Sequence, residues 1–216
     1  PNYAYLQFFS YLPGQTGMTP PLGISKSFPE TPIWVGDRLY LSNCFTGGPT
    51  TGEEIVSLWH YRDGVAAPVA SLGDTAGWDL LNTEPFRSRW PAGVEPAPAG
   101  SKSGNATFAW CDLNDDAQAQ PDEVQIVAGP PGSLTLDGEL GLTTSTAIRY
   151  APVGFTPKGA PRYDLARGRK LAEGGRPSQG GGGGQVIAGG DGWTVFTFPP
   201  EPLPGCYLAG SKDGKL

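Results

Sequence analysis

The segment EIVSLWHYRDGVAAPVA, residues 54–70, decides the fold class of this 216-residue chain. Two apolar runs, rich in β-branched and aromatic side chains, flank an Asp-Gly dipeptide that favours the tight turn of a β-hairpin. Residues 33–42 and 185–198 follow the same plan, and residues 206–216 carry one more strand ahead of an Asp-Gly pair. These hairpin-like units predict an all-β protein in which small antiparallel sheets pack together to form the core.

The composition agrees with this fold class. The chain has 33 glycines and 23 prolines, which are too many helix-interrupting residues for a helical bundle. It is 38% hydrophobic and 11% aromatic, which is too apolar for a disordered chain. Stretches rich in Pro, Gly and Ser predict loops at residues 46–52, 90–104, 150–161 and 174–184, and a helix is expected only at residues 163–173.

Charge and cysteine content narrow the function classes. The 15 Lys and Arg residues against 21 Asp and Glu residues give a net charge of −6, which opposes a general role in nucleic-acid binding. No apolar stretch of the sequence reaches the roughly 18 residues of a membrane-spanning helix. The cysteines Cys44, Cys111 and Cys206 lie far apart, so at most one disulfide can form within the chain, and its pairing stays open. Because both ends fall in strand-like sequence, we expect residues 1–216 to be a single all-β segment of a longer chain.

One motif carries recognisable chemistry, in residues 108–127, FAWCDLNDDAQAQPDEVQIV. Counted from its first aspartate, oxygen-bearing side chains fall at positions 1, 3, 5, 9 and 12, which is the spacing of an EF-hand calcium loop. A tightly curled loop turns alternate side chains inward, the carbonyl at position 7 adds a backbone oxygen, and the final glutamate closes the shell. The sequence therefore predicts a Ca²⁺ loop at residues 112–123 whose ligands are Asp112, Asn114, Asp116, the Gln118 carbonyl, Gln120 and Glu123.

The loop departs from the EF-hand pattern at position 6, where Ala117 stands in place of glycine. A left-handed backbone costs alanine roughly 1 kcal/mol, so weakened calcium binding is expected. Residues 107–110 and 124–127 on either side are strand-like, and Pro121 is suited to begin one helical turn. A calcium loop between strands has no helix pair to open. We therefore expect it to stiffen a long connection, in an extracellular or periplasmic setting where calcium is abundant.

Residues 108–126 resemble the insert W-x-D-x-N-x-D-G-x-x-Q-x-x-E of large secreted bacterial β-propeller proteins of the NHL and PQQ-like repeat kind, where a dockerin-like calcium loop sits in a propeller. The hairpin LWHYRDGVAAPVASLG, residues 58–73, is similar to blade sequences of those proteins. The resemblance implies a β-propeller with about four to five blades' worth of hairpins and export from the cell. The resemblance also implies a set of calcium ligands, which are Asp112, Asn114, Asp116, Gln118 and Glu123. A β-sandwich needs the same hairpins and is the alternative fold.

Other candidate residues point to no single reaction. His60 is the only histidine, which disfavours a catalytic zinc site and favours a structural hydrogen bond over a Ser-His-Asp triad. Carboxylate pairs such as Glu53 with Glu54 and Asp79 with Glu84, together with the six tryptophans, leave a carbohydrate-active enzyme as the alternative function.

The favoured function is a calcium-stabilised extracellular module for binding or structure, within a larger secreted protein or assembly, rather than an enzyme. Its expected partner is the remainder of its own chain or a partner subunit that covers open strand edges, with a glycan as a candidate ligand. Trp78 and Trp90 lie in loop-like segments and are the candidates for ligand contact. Most of the tryptophans are expected in the core, because aromatic rings bury a large area.

Overall fold

The structure is a computed structural model that describes residues 29, 31–44, 54–98, 101, 103–172, 184–189, 191–197 and 208–212. Short strands, turns and 3-10 helical turns form this part of the chain. The strands are β1 Thr31–Val35, β2 Arg38–Ser42, β3 Ile55–Arg62, β4 Val65–Asp74, β5 Ala106–Cys111, β6 Val124–Ala128, β7 Leu134–Leu136, β8 Leu142–Thr144, β9 Ile148–Tyr150, β10 Gly154–Phe155, β11 Pro161–Arg162, β12 Arg169–Lys170, β13 Val186–Ala188, β14 Trp193–Phe196 and β15 Ala209–Lys212. The 3-10 turns are Thr75–Gly77, Asp79–Asn82, Phe86–Arg89, Pro121–Glu123 and Leu165–Arg167.

The largest sheet is a six-stranded antiparallel meander in the order β1 to β6. Two-residue turns join β1 to β2 and β3 to β4. In the second of these turns, Asp63 and Gly64 have φ of 53° and 81°, the left-handed pair that matches a tight turn to the right-handed twist of its strands. The hairpins predicted at residues 33–42 and 54–70 are therefore confirmed.

At strand β5 this sheet is buried on both faces. Phe108 and Trp110 belong to a hydrophobic cluster that includes Trp78, from the connection between β4 and β5. Cys111 belongs to a second cluster together with Leu134 of β7. Because successive strand side chains point to opposite faces, the β4–β5 connection covers one face of the meander and the four-stranded sheet that contains β7 covers the other.

The remaining described strands form three smaller antiparallel sheets. One is four-stranded in the order β12-β9-β8-β7, one is three-stranded in the order β13-β14-β15, and β10 pairs with β11. None of the sheets in the described ranges closes on itself. The predicted all-β class is confirmed. The part of the chain that the structure describes has no helix with the length and apolar character needed to cross a membrane.

The hairpin predicted at residues 185–198 is confirmed by the pairing of β13 with β14. In the fourth predicted unit, β15 pairs with β14, whereas residues 213–216, which include its turn, lie outside the described residues. The predicted loop at residues 46–52 also lies outside them, as does the predicted loop at residues 174–184 apart from its last residue. A further hairpin of β7 and β8 was not predicted from the sequence, although Asp137-Gly138 lies between its strands.

The helix predicted at residues 163–173 is wrong for the part that the structure describes. A single 3-10 turn, Leu165–Arg167, forms there, and the Asp164 carboxylate caps it by accepting the Ala166 N–H at 2.9 Å. After this turn, β12 pairs with β9. Strand pairing supplies the backbone hydrogen bonds that a short isolated helix, interrupted by Gly168, holds too weakly.

Candidate functional site

The loop of residues 112–123 joins β5 to β6, which are neighbours in the six-stranded sheet. The Asp112 N–H donates to the Val69 carbonyl at 3.0 Å, so the start of the loop is tied to β4. The chain leaves the loop through the 3-10 turn Pro121–Glu123, with Pro121 at its start. The strands on both sides and this turn confirm the predicted flanks of the loop.

Asp112, at position 1 of the loop, has only 2% of its surface exposed. Its Oδ1 accepts the Asp116 N–H and its Oδ2 accepts the Ala117 N–H, both at 3.1 Å. Asp115 and Ala117 have left-handed φ of 63° and 56°, which curls the backbone around the Asp112 carboxylate. Burial first, and then the negative charges of Glu123 and Asp115, raise the pKa of Asp112 to about 6 although backbone hydrogen bonds oppose the rise. The loop therefore holds a carboxylate whose charge is incompletely compensated.

The side chains at positions 3, 5 and 9 meet on the outer side of the loop. Asn114 Nδ2 lies 3.0 Å from Asp116 Oδ2 and 3.3 Å from Gln120 Oε1. Gln120 Nε2 donates to Asp116 Oδ2 at 2.9 Å. Gln118, at position 7, is exposed, and its N–H donates to Asp116 Oδ1 at 2.7 Å. The structure thus places Asn114, Asp116 and Gln120 within hydrogen-bonding distance of one another.

Glu123, at position 12, has 4% of its surface exposed and accepts N–H groups with both oxygens. Its Oε1 accepts from the backbone of Leu113 at 2.7 Å and of Asn114 at 3.3 Å. Its Oε2 accepts from the Trp110 indole at 3.1 Å and from the Gln120 backbone at 3.2 Å. The bond from the Gln120 backbone belongs to a capping box at the N-terminus of the 3-10 turn. One carboxylate therefore connects β5, the loop and the exit turn.

The chemistry of the loop fits a hard cation. All six predicted ligands offer oxygen, and no ion pair formed by the described residues includes Asp112 or Glu123. Within the described ranges, no group of three or more His, Cys, Asp or Glu side chains is arranged as a metal site. Both Glu123 oxygens already accept N–H groups, so a cation that used them would replace some of these hydrogen bonds.

Two adjoining cavities form a groove beside the loop. The larger, of about 660 Å³, lies against the β1–β2 hairpin and is lined by Trp34 and Arg38, among others. The smaller, of about 280 Å³, reaches Asp115 and Asp116 of the loop. Four residues line both cavities: His60, Arg62, Asp63 and Lys158.

The turn of residues 156–160 connects the loop to the wall of this groove. Its first residue, Thr156, donates a hydroxyl hydrogen bond to Asp115 Oδ1 at 2.9 Å. Near its end, the Gly159 carbonyl accepts the Tyr40 hydroxyl at 2.7 Å. The turn is therefore fixed both to the candidate calcium loop and to strand β2.

His60 lies half-buried in the groove, and its position is fixed on two sides. Its ring stacks on Tyr40, with centroids 5.1 Å apart and planes at 24°. Gly159 has φ of 99°, and a Cβ at this position would come within 3.2 Å of the His60 Nδ1, so glycine permits the close packing. Burial first, and then the positive charge of Arg62, lower the pKa of His60, while a backbone hydrogen bond at Lys158 opposes them. Both effects favour the neutral form of the imidazole.

Neither tryptophan predicted for ligand contact lines the groove. Trp78 is fully buried and packs against Phe86 and Phe108, so its indole belongs to the core and offers no surface to a ligand. Trp90 is partly buried, and its Nε1 donates to the Leu81 carbonyl at 2.8 Å. The connection between β4 and β5 looked like an open loop in the sequence, but it folds over the sheet and uses both rings for packing.

The structure instead exposes two other tryptophans, Trp34 at 65% and Trp193 at 45%. The sequence carries a signal for the first of them. Ile33 and Val35 alternate with Pro32 and Trp34 along β1, and this period of two places Trp34 on the more exposed face.

The other candidate residues form no site in the described part of the chain. Cys111 is a buried free thiol that accepts the Tyr163 N–H at 3.2 Å, and burial raises its pKa to about 11. Asp79 and Glu84 are exposed, whereas Cys206 and Glu53 lie outside the described residues.

The chain matches no known protein family, no curated protein and no solved structure. A functional proposal therefore rests on the geometry of the loop and the groove.

Proposed function

We propose that this chain is a calcium-stabilised binding or structural module, with residues 112–123 as its calcium loop. The burial of two carboxylates, Asp112 and Glu123, in one loop carries the proposal. A buried carboxylate without a positive partner raises the free energy of the folded state, and a bound cation lowers it again. The raised pKa of Asp112 has this physical origin, since burial is its main cause.

The residues that would hold the ion are the side chains of Asp112, Asn114, Asp116, Gln120 and Glu123, with the Gln118 carbonyl. Calcium supplies positive charge and gathers oxygen ligands from both halves of the loop. Since the loop joins β5 to β6 and its first N–H is bonded to Val69 of β4, the ion would stiffen the ends of three neighbouring strands.

The proposed setting is a β-propeller within a larger secreted protein, outside the cell or in the periplasm, where calcium is plentiful enough for a loop with a non-ideal position 6. The four-stranded antiparallel sheet has the strand number of a propeller blade, which supports this setting. The six-stranded sheet has more strands than a blade, and a sandwich is the alternative fold. The proposed partner is the remainder of the same chain or a partner subunit.

Thermal unfolding with and without calcium tests the proposal. At free calcium of about 100 times the dissociation constant, one site adds about 2.7 kcal/mol to the free energy of unfolding. For a chain of 216 residues, this raises Tm by about 5–10 °C. Asp116→Asn is expected to lose most of the increase, whereas Asp122→Asn, which changes an exposed acid of the same loop, keeps it. Equal Tm values in calcium and in chelator would contradict the proposal.

A further inference from the structure

The groove beside the loop has the dimensions of a small-molecule site. Its larger part is an open depression of about 660 Å³, a volume within the range of known ligand pockets. It is built on the β1–β2 hairpin, on β3 and on the turn of residues 156–160, which hydrogen bonds tie to the loop and to β2. Its walls are therefore largely held in place before a ligand arrives.

Trp34 gives this groove a flat apolar surface. The indole is 65% exposed although it belongs to a paired strand, in register with Leu39. An exposed indole on a rigid hairpin provides a stacking face, with a polar N–H at its edge, at little entropic cost. A sugar ring presents a flat C–H face of matching size, surrounded by hydroxyl groups.

The cationic groups of the larger cavity exceed its acidic ones. Arg38, Arg62 and Lys158 line the cavity with Asp37 and Asp63. Arg62 is paired with Asp63 at 3.7 Å, while no ion pair among the described residues includes Arg38 or Lys158. The Arg38 guanidinium lies 6.0 Å from the centroid of the Phe155 ring. These two cations suit a carboxylate, to which a guanidinium donates parallel hydrogen bonds.

The smaller cavity has the opposite character. Asp115 and Asp116 present carboxylates next to the loop, where they can accept hydrogen bonds from hydroxyl groups but repel dense negative charge. With the net charge of −6, this arrangement disfavours nucleic acids, and at this end of the groove it favours the hydroxyl groups of a ligand over its acidic groups.

We infer that the larger cavity of the groove binds an acidic saccharide, a short chain of uronic acid residues, with one ring stacked on Trp34 and carboxylates paired with Arg38 and Lys158. This inference deepens the proposed function and rests on the chain being a binding module. It does not require an ion in the loop.

Titration calorimetry with trigalacturonic acid tests the inference, with the uncharged trisaccharide maltotriose as the control ligand. The titration contains a chelator, because uronate oxygens also bind calcium. We expect saturable binding of the acidic trisaccharide and none of the neutral one. Trp34→Ala is expected to weaken binding about tenfold, and Lys158→Gln about threefold.

Two control variants show whether the loss of binding is specific to the ring of Trp34. Trp34→Tyr retains a ring and is expected to bind, and Trp193→Ala removes an exposed indole from the three-stranded sheet and is expected to bind like the wild type. Melting temperatures verify that each variant is folded. No saturable binding of trigalacturonic acid, equal binding of maltotriose, or an equal loss in Trp193→Ala would overturn the inference. Since chelator is present, failure here is distinct from failure of the calcium-dependent Tm increase.

Discussion

Replacing Glu123 by glutamine separates the structural role of this side chain from its proposed role in calcium binding. The carboxylate accepts N–H groups from the backbone of Leu113, Asn114 and Gln120 and from the Trp110 indole. Glutamine has one side-chain oxygen, and its amide NH2 would face the donors that the second carboxylate oxygen accepts. Two of the four donors would then lack an acceptor.

Each buried N–H without an acceptor costs about 1–3 kcal/mol, so two of them are expected to lower the free energy of unfolding of Glu123→Gln by about 2–6 kcal/mol in chelator. For 216 residues, this corresponds to a Tm lower by about 4–24 °C. Urea unfolding monitored by tryptophan fluorescence measures the loss, since Trp110 contacts the mutated group. Asp122→Asn, at the exposed neighbouring position, is expected to stay within about 0.5 kcal/mol of the wild type. Equal stability of the two variants would refute this hydrogen-bonding role.

Three other predictions give the direction in which stability should change. Ala117→Gly is expected to raise the free energy of urea unfolding by about 0.5–1 kcal/mol, because glycine adopts the φ of 56° without Cβ strain; a loss of stability would contradict this. Since the pKa of Asp112 is raised from 3.8 to about 6, the free energy of unfolding of the calcium-free protein should fall by about 3 kcal/mol as pH rises from about 3 to about 7. Asp112→Asn should make the free energy of unfolding less dependent on pH. A pH profile equal to that of the wild type would contradict the assignment of this dependence to Asp112. Asp137→Asn breaks the partly buried pair with Arg149 and is expected to cost about 1.5–3 kcal/mol by thermal unfolding, against little change for the exposed Glu139→Gln.

Local chemistry made much of the fold predictable. The Asp63-Gly64 pair supplies the two left-handed residues that its turn requires, so a dipeptide and its flanks define a hairpin without tertiary information. The stretch of residues 163–173 shows the opposite case. Its helical pattern was overridden because Arg169 and Lys170 pair with β9, a partner that the local sequence does not reveal.

The candidate calcium loop was also visible in the sequence, because its chemistry depends on the spacing of Asp112, Asn114 and Asp116 within one turn of chain. The bond between Glu123 and Trp110 was not predictable, since it depends on how the loop packs against β5. For the same reason the burial of Trp78, which the sequence suggested for ligand contact, was not predictable.

No local sequence pattern could have predicted the groove. It assembles Trp34, His60 and Lys158 from three separate parts of the chain, and only the pairing of β2 with β1 and β3 and the turn of residues 156–160 bring them together. A pattern of spacing within one segment carries no information about such a site.

The central claim is that residues 112–123 bind calcium, and calorimetric titration of chelator-stripped protein with calcium tests it most directly. We predict saturable binding of one calcium ion per chain, much weaker binding of magnesium, loss of binding in Asp112→Asn, and unchanged binding in Asp122→Asn. No heat of binding up to several millimolar calcium, beyond the weak end of extracellular sites, would contradict the claim.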